Sequence, residues 1–101
     1  MLAFFSMIPL GTGISFSSKV ADSIRIIEES GLEYKMTAMG TILEGDWDEI
    51  SDVIGNCFEA MHKHSERVSC TIKIDDHAGR GGRLAGKIAS VEDKLGHEVK
   101  K

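Results

Sequence analysis

The spacing of apolar and polar residues changes several times along the chain, and each change marks an element. From Leu2 to Ile8 the residues fall into two alternating sets, Leu2, Phe4, Ser6, Ile8 and Ala3, Phe5, Met7, and both are largely apolar. That is the pattern of a strand inside a sheet. Pro9, Gly11 and Gly13 are expected to break it, since proline cannot donate to a ladder and glycine favours turns. Val20, Ala21, Ile24 and Ile27 then recur at helical spacing, with Lys19, Asp22, Arg25, Glu28 and Glu29 on the wet side. Ser17 or Ser18 is placed to cap this helix and Gly31 to end it.

Between Glu33 and Ala38 the residues Tyr34, Met36 and Ala38 alternate with Lys35 and Thr37, and Thr41 to Glu44 follows after Met39 and Gly40. This predicts two strands with a tight connection. Asp46, three residues before Glu49, forms a capping-box pattern, and Ile50, Val53, Ile54, Cys57, Phe58 and Met61 mark the clearest helix in the chain. Val68, Cys70, Ile72 and Ile74 alternate with Ser69, Thr71 and Lys73, as in a strand with one buried face. A glycine- and charge-rich loop leads to a last amphipathic helix carrying Leu84, Ile88, Val91 and Leu95. The order β-α-β-β-α-β plus a C-terminal helix is the ferredoxin-like, split-βαβ arrangement of the α+β class. Right-handed crossovers place its two main helices on one face of a four-stranded antiparallel sheet.

In that arrangement one apolar face of the first strand meets the helices and the other points away. An exposed stripe including Phe4 or Phe5 needs a cover, and association of copies through the open face or an edge strand is the expected one. The alternatives are the C-terminal helix or a ligand.

Length and charge narrow the possibilities. The 101 residues suit a single domain. The 12 basic and 16 acidic residues, a net charge of -4, argue against nucleic acid, whose binding draws on many Lys and Arg contacts to phosphates. A cationic or neutral small ligand is compatible. The apolar run from Met1 to Ile14 is interrupted by Ser6, Pro9, Gly11, Thr12 and Gly13, and lacks both the length of a membrane span and a basic leader. No membrane association is expected. Two cysteines are too few for a disulfide framework, which points to a reducing cytoplasm.

The candidate chemistry is sparse. Cys57 and Cys70 are in phase with the apolar faces of their helix and strand, where thiols are inert. His62 and His64 are two apart on a helix and point to different faces, while His77 and His97 are isolated, so no metal site is expected. Asp75 and Asp76 face opposite ways in a strand. With no Ser/His/Asp set, P-loop or dinucleotide fingerprint, no catalytic residues are assigned. The loop Gly11 to Ser18 enters a helix N-terminus and has backbone N–H groups and hydroxyls for a polar ligand group, beside the plainer role of turn and cap. Gly79 to Arg83 has arginines that could touch phosphate, but reads better as a solvated connector. The segment Thr37 to Gly45 brings together two hydroxyls, a thioether, a close-approach glycine and the Glu44 carboxylate.

Four motifs now carry a resemblance: Ile8-Pro9-Leu10-Gly11-Thr12-Gly13; Met39-Gly40-Thr41 followed by Glu44; Thr71-Ile72-Lys73-Ile74-Asp75-Asp76; and Lys87-Ile88-Ala89-Ser90-Val91-Glu92. Together the chain resembles the thiamine-binding protein family over nearly its whole length. The resemblance implies a ferredoxin-like fold, assembly into homodimers or homotetramers, and non-catalytic binding of thiamine or its hydroxymethylpyrimidine portion, with no further cofactor. It also adds weight to Thr12, Met39, Gly40, Thr41 and Glu44 as ligand-binding residues. Thiamine combines a thiazolium cation with an aminopyrimidine that both donates and accepts, so Glu44 is expected to supply a carboxylate, Thr37 and Thr41 hydroxyls, and Met39 or Phe4 a packing surface. Relatives tend to carry paired arginines after the Asp-Asp, where His77 and Ala78 stand here. A homo-oligomeric scaffold without a dedicated ligand is the alternative.

Overall fold

The computed structural model of the protein describes residues 1–11, 17–79 and 83–100. Its elements are β1 (Leu2–Leu10), α1 (Ser17–Ser30), β2 (Glu33–Met36), β3 (Thr41–Glu44), α2 (Trp47–His62), β4 (Arg67–Asp75) and α3 (Arg83–Leu95). The strands form one antiparallel sheet in the order β2-β3-β1-β4, the ferredoxin-like arrangement with α3 added.

The register assigns every strand residue to a face, because directly opposed residues share one. Ala3 pairs with Leu43 and Ile74, Phe5 with Thr41 and Ile72, Met7 with Cys70, and Pro9 with Val68. This is the helix-facing side, where Ala3, Phe5, Met7 and Leu43 pack in one core with Ile27 of α1 and with Ile50, Val53, Ile54, Cys57 and Met61 of α2. Each large aliphatic side chain buried there contributes about 1.5–3 kcal/mol. The entry of α2 is held by the expected capping box: Asp46 Oδ1 accepts from the Glu49 N–H at 2.8 Å, and Glu49 Oε1 accepts from the Asp46 N–H at 3.2 Å. α1 ends as expected at Gly31, whose φ of 77° is readily reached by glycine. The side chains of Ser17 and Ser18, the expected caps of α1, lie outside what is described.

Two expectations are corrected. Pro9 does not end β1; it lies within the strand opposite Val68. Beyond Phe5 the strand is paired with β4 alone, and a strand with one free edge tolerates proline. β4 does not bury one whole face either: Ile72 and Ile74 are 44% and 39% exposed, since an edge strand has neighbours on one side only.

On the open face, Leu2, Phe4, Ser6, Ile8 and Leu10 of β1 are flanked by Arg67, Ser69, Thr71, Lys73 and Asp75 of β4, all polar. Its apolar surface is thus a stripe rather than a continuous sheet-wide patch. Leu2, Phe4 and Ile42 are half-buried in the half where α3 lies against β2 and β3, while Ile8 and Leu10 are exposed.

Candidate functional site

β3 begins at Thr41, opposite Phe5, whereas β1 runs on to Leu10. Along that continuation lies a cavity of about 500 Å³. Its walls are β1 from Phe5 to Ile8, the α1 residues Val20, Ser23 and Ile24, the connection from Met36 to Thr41, and Met61 of α2.

The connection is shaped by Thr37. Its N–H and its Oγ1 both donate to the Gly40 carbonyl, at 2.8 and 2.7 Å, and Oγ1 accepts from the N–H groups of Met39 and Gly40, each at 3.2 Å. A hydroxyl so engaged holds a turn, the local pairing at which Thr excels, and β2 therefore ends at Met36 rather than Ala38. Gly40 is needed for packing: a Cβ there would lie 2.6 Å from the Phe4 ring and 2.7 Å from the Phe5 carbonyl oxygen. The turn leaves Met39 and Met36 exposed at the cavity mouth, together with Ile8 and Val20.

Four of the residues expected at a ligand site, Thr37, Met39, Gly40 and Thr41, thus line one cavity. Thr41 faces inward beside Phe5 and is nearly buried. Glu44 does not join them, because it pairs with Leu2 and Glu33 on the open face. Phe4 is likewise on that face, touching the site through Gly40. Thr12, and with it most of the loop from Gly11 to Ser18, lies outside the described residues, as do Arg80 to Gly82 of the second glycine loop.

The residue missed by the sequence reading is Ser23. It is 6% exposed, lines the cavity, and its hydroxyl has no hydrogen-bond partner among the described residues. Buried polar groups are almost always paired, and leaving one unpaired costs about 1–3 kcal/mol. A signal was present: Ser23 stands three residues after Val20 and four before Ile27, in phase with the apolar side of α1.

Elsewhere the polar groups are accounted for or solvated. Cys57 is fully buried with its Sγ 3.9 Å from the Ser23 carbonyl, and burial pushes both it and Cys70 above the ordinary thiol pKa, so they rest as thiols. His62 Nδ1 is 3.0 Å from the Ser65 carbonyl oxygen, and His64 Nε2 lies 3.4 Å from Asp22, which also pairs with Arg25 at 2.7 Å. No cluster of three or more His, Cys, Asp or Glu suited to a metal occurs among the described residues. No described helix is long and apolar enough to cross a membrane. A second hollow, between α1 and α2, is lined by acidic side chains that include the capping residue Glu49.

Comparison with known proteins decides the family. The model of the thiamine-binding protein family matches residues 3–92, from the second residue of β1 through β2, β3, β4 and most of α3, the cavity lining included. The chain belongs to the thiamine-binding protein family. Its relatives include the UPF0045 protein Mb1933 of Mycobacterium bovis, 38% identical over 96 residues and 94% of each chain, and the UPF0045 protein YqgV of Bacillus subtilis, 36% identical over 100 residues, 93% of this chain and 96% of the relative. The crystal structure of MJ1052 from Methanocaldococcus jannaschii superimposes with a TM-score of 0.82 at 32% identity, covering 91% of this chain and 95% of the other. A candidate thiamine biosynthesis/salvage protein from Thermotoga maritima shares the fold, with a TM-score of 0.77 at 20% identity over 89% of this chain and 96% of that one. The Met39-Gly40-Thr41 motif, one of the four that together carry the resemblance, lies in the stretch that lines the cavity at the turn.

Proposed function

We propose that the protein is a non-catalytic binding protein that takes thiamine or a related hydroxymethylpyrimidine in the cavity between α1, β1 and the Met36 to Thr41 connection. The observation that carries the reading is Ser23, which lines an otherwise largely apolar cavity and whose buried hydroxyl has no partner among the described residues. Such a lining, flat apolar surface with few convergent polar groups, is what an aromatic heterocycle requires. The sulfurs of Met7, Met36, Met39 and Met61 are polarizable partners for its ring. Membership of the thiamine-binding protein family supports the choice of ligand. No described residue of the lining forms a nucleophile-base pair, and the reading is one of binding without turnover.

The working form in this reading is a cytoplasmic homodimer or homotetramer. The support is apolar side chains left at the surface, Ile8 and Leu10 on the open face and Ile72 and Ile74 at the β4 edge. Light scattering at micromolar concentration is expected to give a multiple of the 11.0 kDa chain mass; a clean monomer overturns this part.

Thermal unfolding with thiamine, hydroxymethylpyrimidine and thiamine phosphates tests the ligand. A compound present at about 100 times its Kd adds ~2.7 kcal/mol, enough to raise Tm by several degrees in a domain of this size. No shift with any of them at millimolar concentration overturns the reading and favours a scaffold oligomer.

A further inference from the structure

Resting on the cavity reading above, we propose that Ser23 is the specificity-determining residue, and that the cavity recognises an uncharged planar heterocycle while excluding a cationic ring. The first observation is the state of the hydroxyls. Thr37 Oγ1 already donates to Gly40 and accepts twice within its turn, so it has nothing left to offer a ligand. Ser23 lines the same cavity and is 6% exposed, and its Oγ is buried with no partner among the described residues. A hydroxyl both donates and accepts, and it matches the donor-acceptor edge of a neutral amino-heterocycle.

The second observation is charge. Every described residue lining the cavity is uncharged. Asp22, next to Ser23 in sequence, is engaged by Arg25 and lies near His64, and Glu44, three residues from Thr41, is on the other face of the sheet. A cation entering this cavity would shed water without gaining a counter-charge, which is costly. A neutral ring gives up far less hydration and gains contact with Phe5, Met7, Ile24 and Met61. For a two-ring ligand such as thiamine the cavity therefore takes the pyrimidine, and the thiazolium stays at the mouth beside Met39, which is 80% exposed.

The third is the expected effect on the empty protein. An unpaired buried hydroxyl destabilises the helix that carries it, and alanine is the better helix former. Ser23→Ala should therefore fold at least as stably as the parent, and a loss of binding cannot then be put down to misfolding.

The test is calorimetric titration of the parent and Ser23→Ala with thiamine, hydroxymethylpyrimidine alone, and an N-methylated thiazolium alone, alongside Tm of both proteins without ligand. The parent should bind the pyrimidine within about tenfold of thiamine and the thiazolium on the order of 100-fold more weakly. Ser23→Ala should bind the pyrimidine about tenfold more weakly with an unchanged or raised Tm. Full pyrimidine affinity in Ser23→Ala, or thiazolium binding as tight as pyrimidine binding, overturns the inference while leaving the cavity reading in place. A lowered Tm in Ser23→Ala assigns the hydroxyl a structural role and also overturns it. Failure of the parent to bind thiamine and the pyrimidine alike overturns the proposed function itself.

Discussion

Thr41 and Glu44, three residues apart in β3, stand on opposite faces of the sheet: Thr41 pairs with Phe5 toward the helices, and Glu44 with Leu2 away from them. A strand alternates its side chains with period two, so an odd separation always divides a pair in this way. The carboxylate therefore cannot serve the cavity that holds the threonine.

Glu44→Gln is accordingly expected to change affinity for thiamine or hydroxymethylpyrimidine by less than about twofold in calorimetric titration. A tenfold loss would move the ligand to the open face.

Gly40→Ala is expected to destabilise the protein. The added Cβ would meet the Phe4 ring at 2.6 Å and the Phe5 carbonyl oxygen at 2.7 Å, and although a ring can turn aside, a main-chain carbonyl in a central strand cannot. The cost should be about 1–3 kcal/mol in urea unfolding, as for other forced overpacking. Because the same turn forms the cavity wall, the thermal shift given by ligand should shrink as well.

Asp46→Ala removes the acceptor that satisfies the Glu49 N–H and frees Glu49 from its reciprocal bond. A loss of about 1 kcal/mol is expected, visible as a Tm lower by roughly 4–8 °C, with ligand affinity unchanged because α2 enters beside Met1, at the end of β1 away from the cavity wall of Phe5 to Ile8. Wild-type Tm in this variant would show that the box is ornamental.

Alkaline pH should weaken the fold through its thiols. Burial raises the pKa of Cys57, and less completely shielded Cys70, above the ordinary value of 9.0, so the folded state holds these protons more tightly than the unfolded chain. Their contribution is fully present below about pH 9 and is lost as pH climbs through the raised values. Tyr34, raised by desolvation and by neighbouring Glu28, acts in the same sense at higher pH. Urea unfolding from about pH 7.5 to 10.5 should show a decline that is shallower in Cys57→Ala; an identical slope in both proteins would remove Cys57 from this account.

Much of the fold was legible because its strongest signals are local. The Asp46 and Glu49 box and the run Ile50, Val53, Ile54, Cys57, Met61 need no tertiary information, and all five apolar residues are buried. Pro9 misled because its effect depends on what lies beside it: a proline that would break a doubly paired strand is harmless where β3 has stopped. At the site, the cluster of Thr37, Met39, Gly40 and Thr41 was visible as composition, but the use of each group was not. The Thr37 hydroxyl belongs to its own turn, and Glu44 was grouped by proximity in sequence although strand parity sends it to the other side. Ser23 escaped notice because serine on a helix ordinarily reads as solvated; its phase with Val20 and Ile27 was a hint, and the packing of α1 against α2 encloses it.

β1 outruns β3 by five residues, from Ser6 to Leu10, while β4 accompanies it throughout. In an antiparallel ladder successive backbone nitrogens point to alternate sides, so the amide protons of Ser6, Met7, Ile8 and Leu10 divide by parity between β4 and the cavity side, Pro9 having none to offer. Among these four residues solvent exchange should therefore be slow for the amides of one parity and fast for the other, slow exchange reporting the opening of the sheet and fast exchange the local access of water. Slowing of the fast set alone on addition of a small molecule would locate the molecule along β1 without any substitution in the chain.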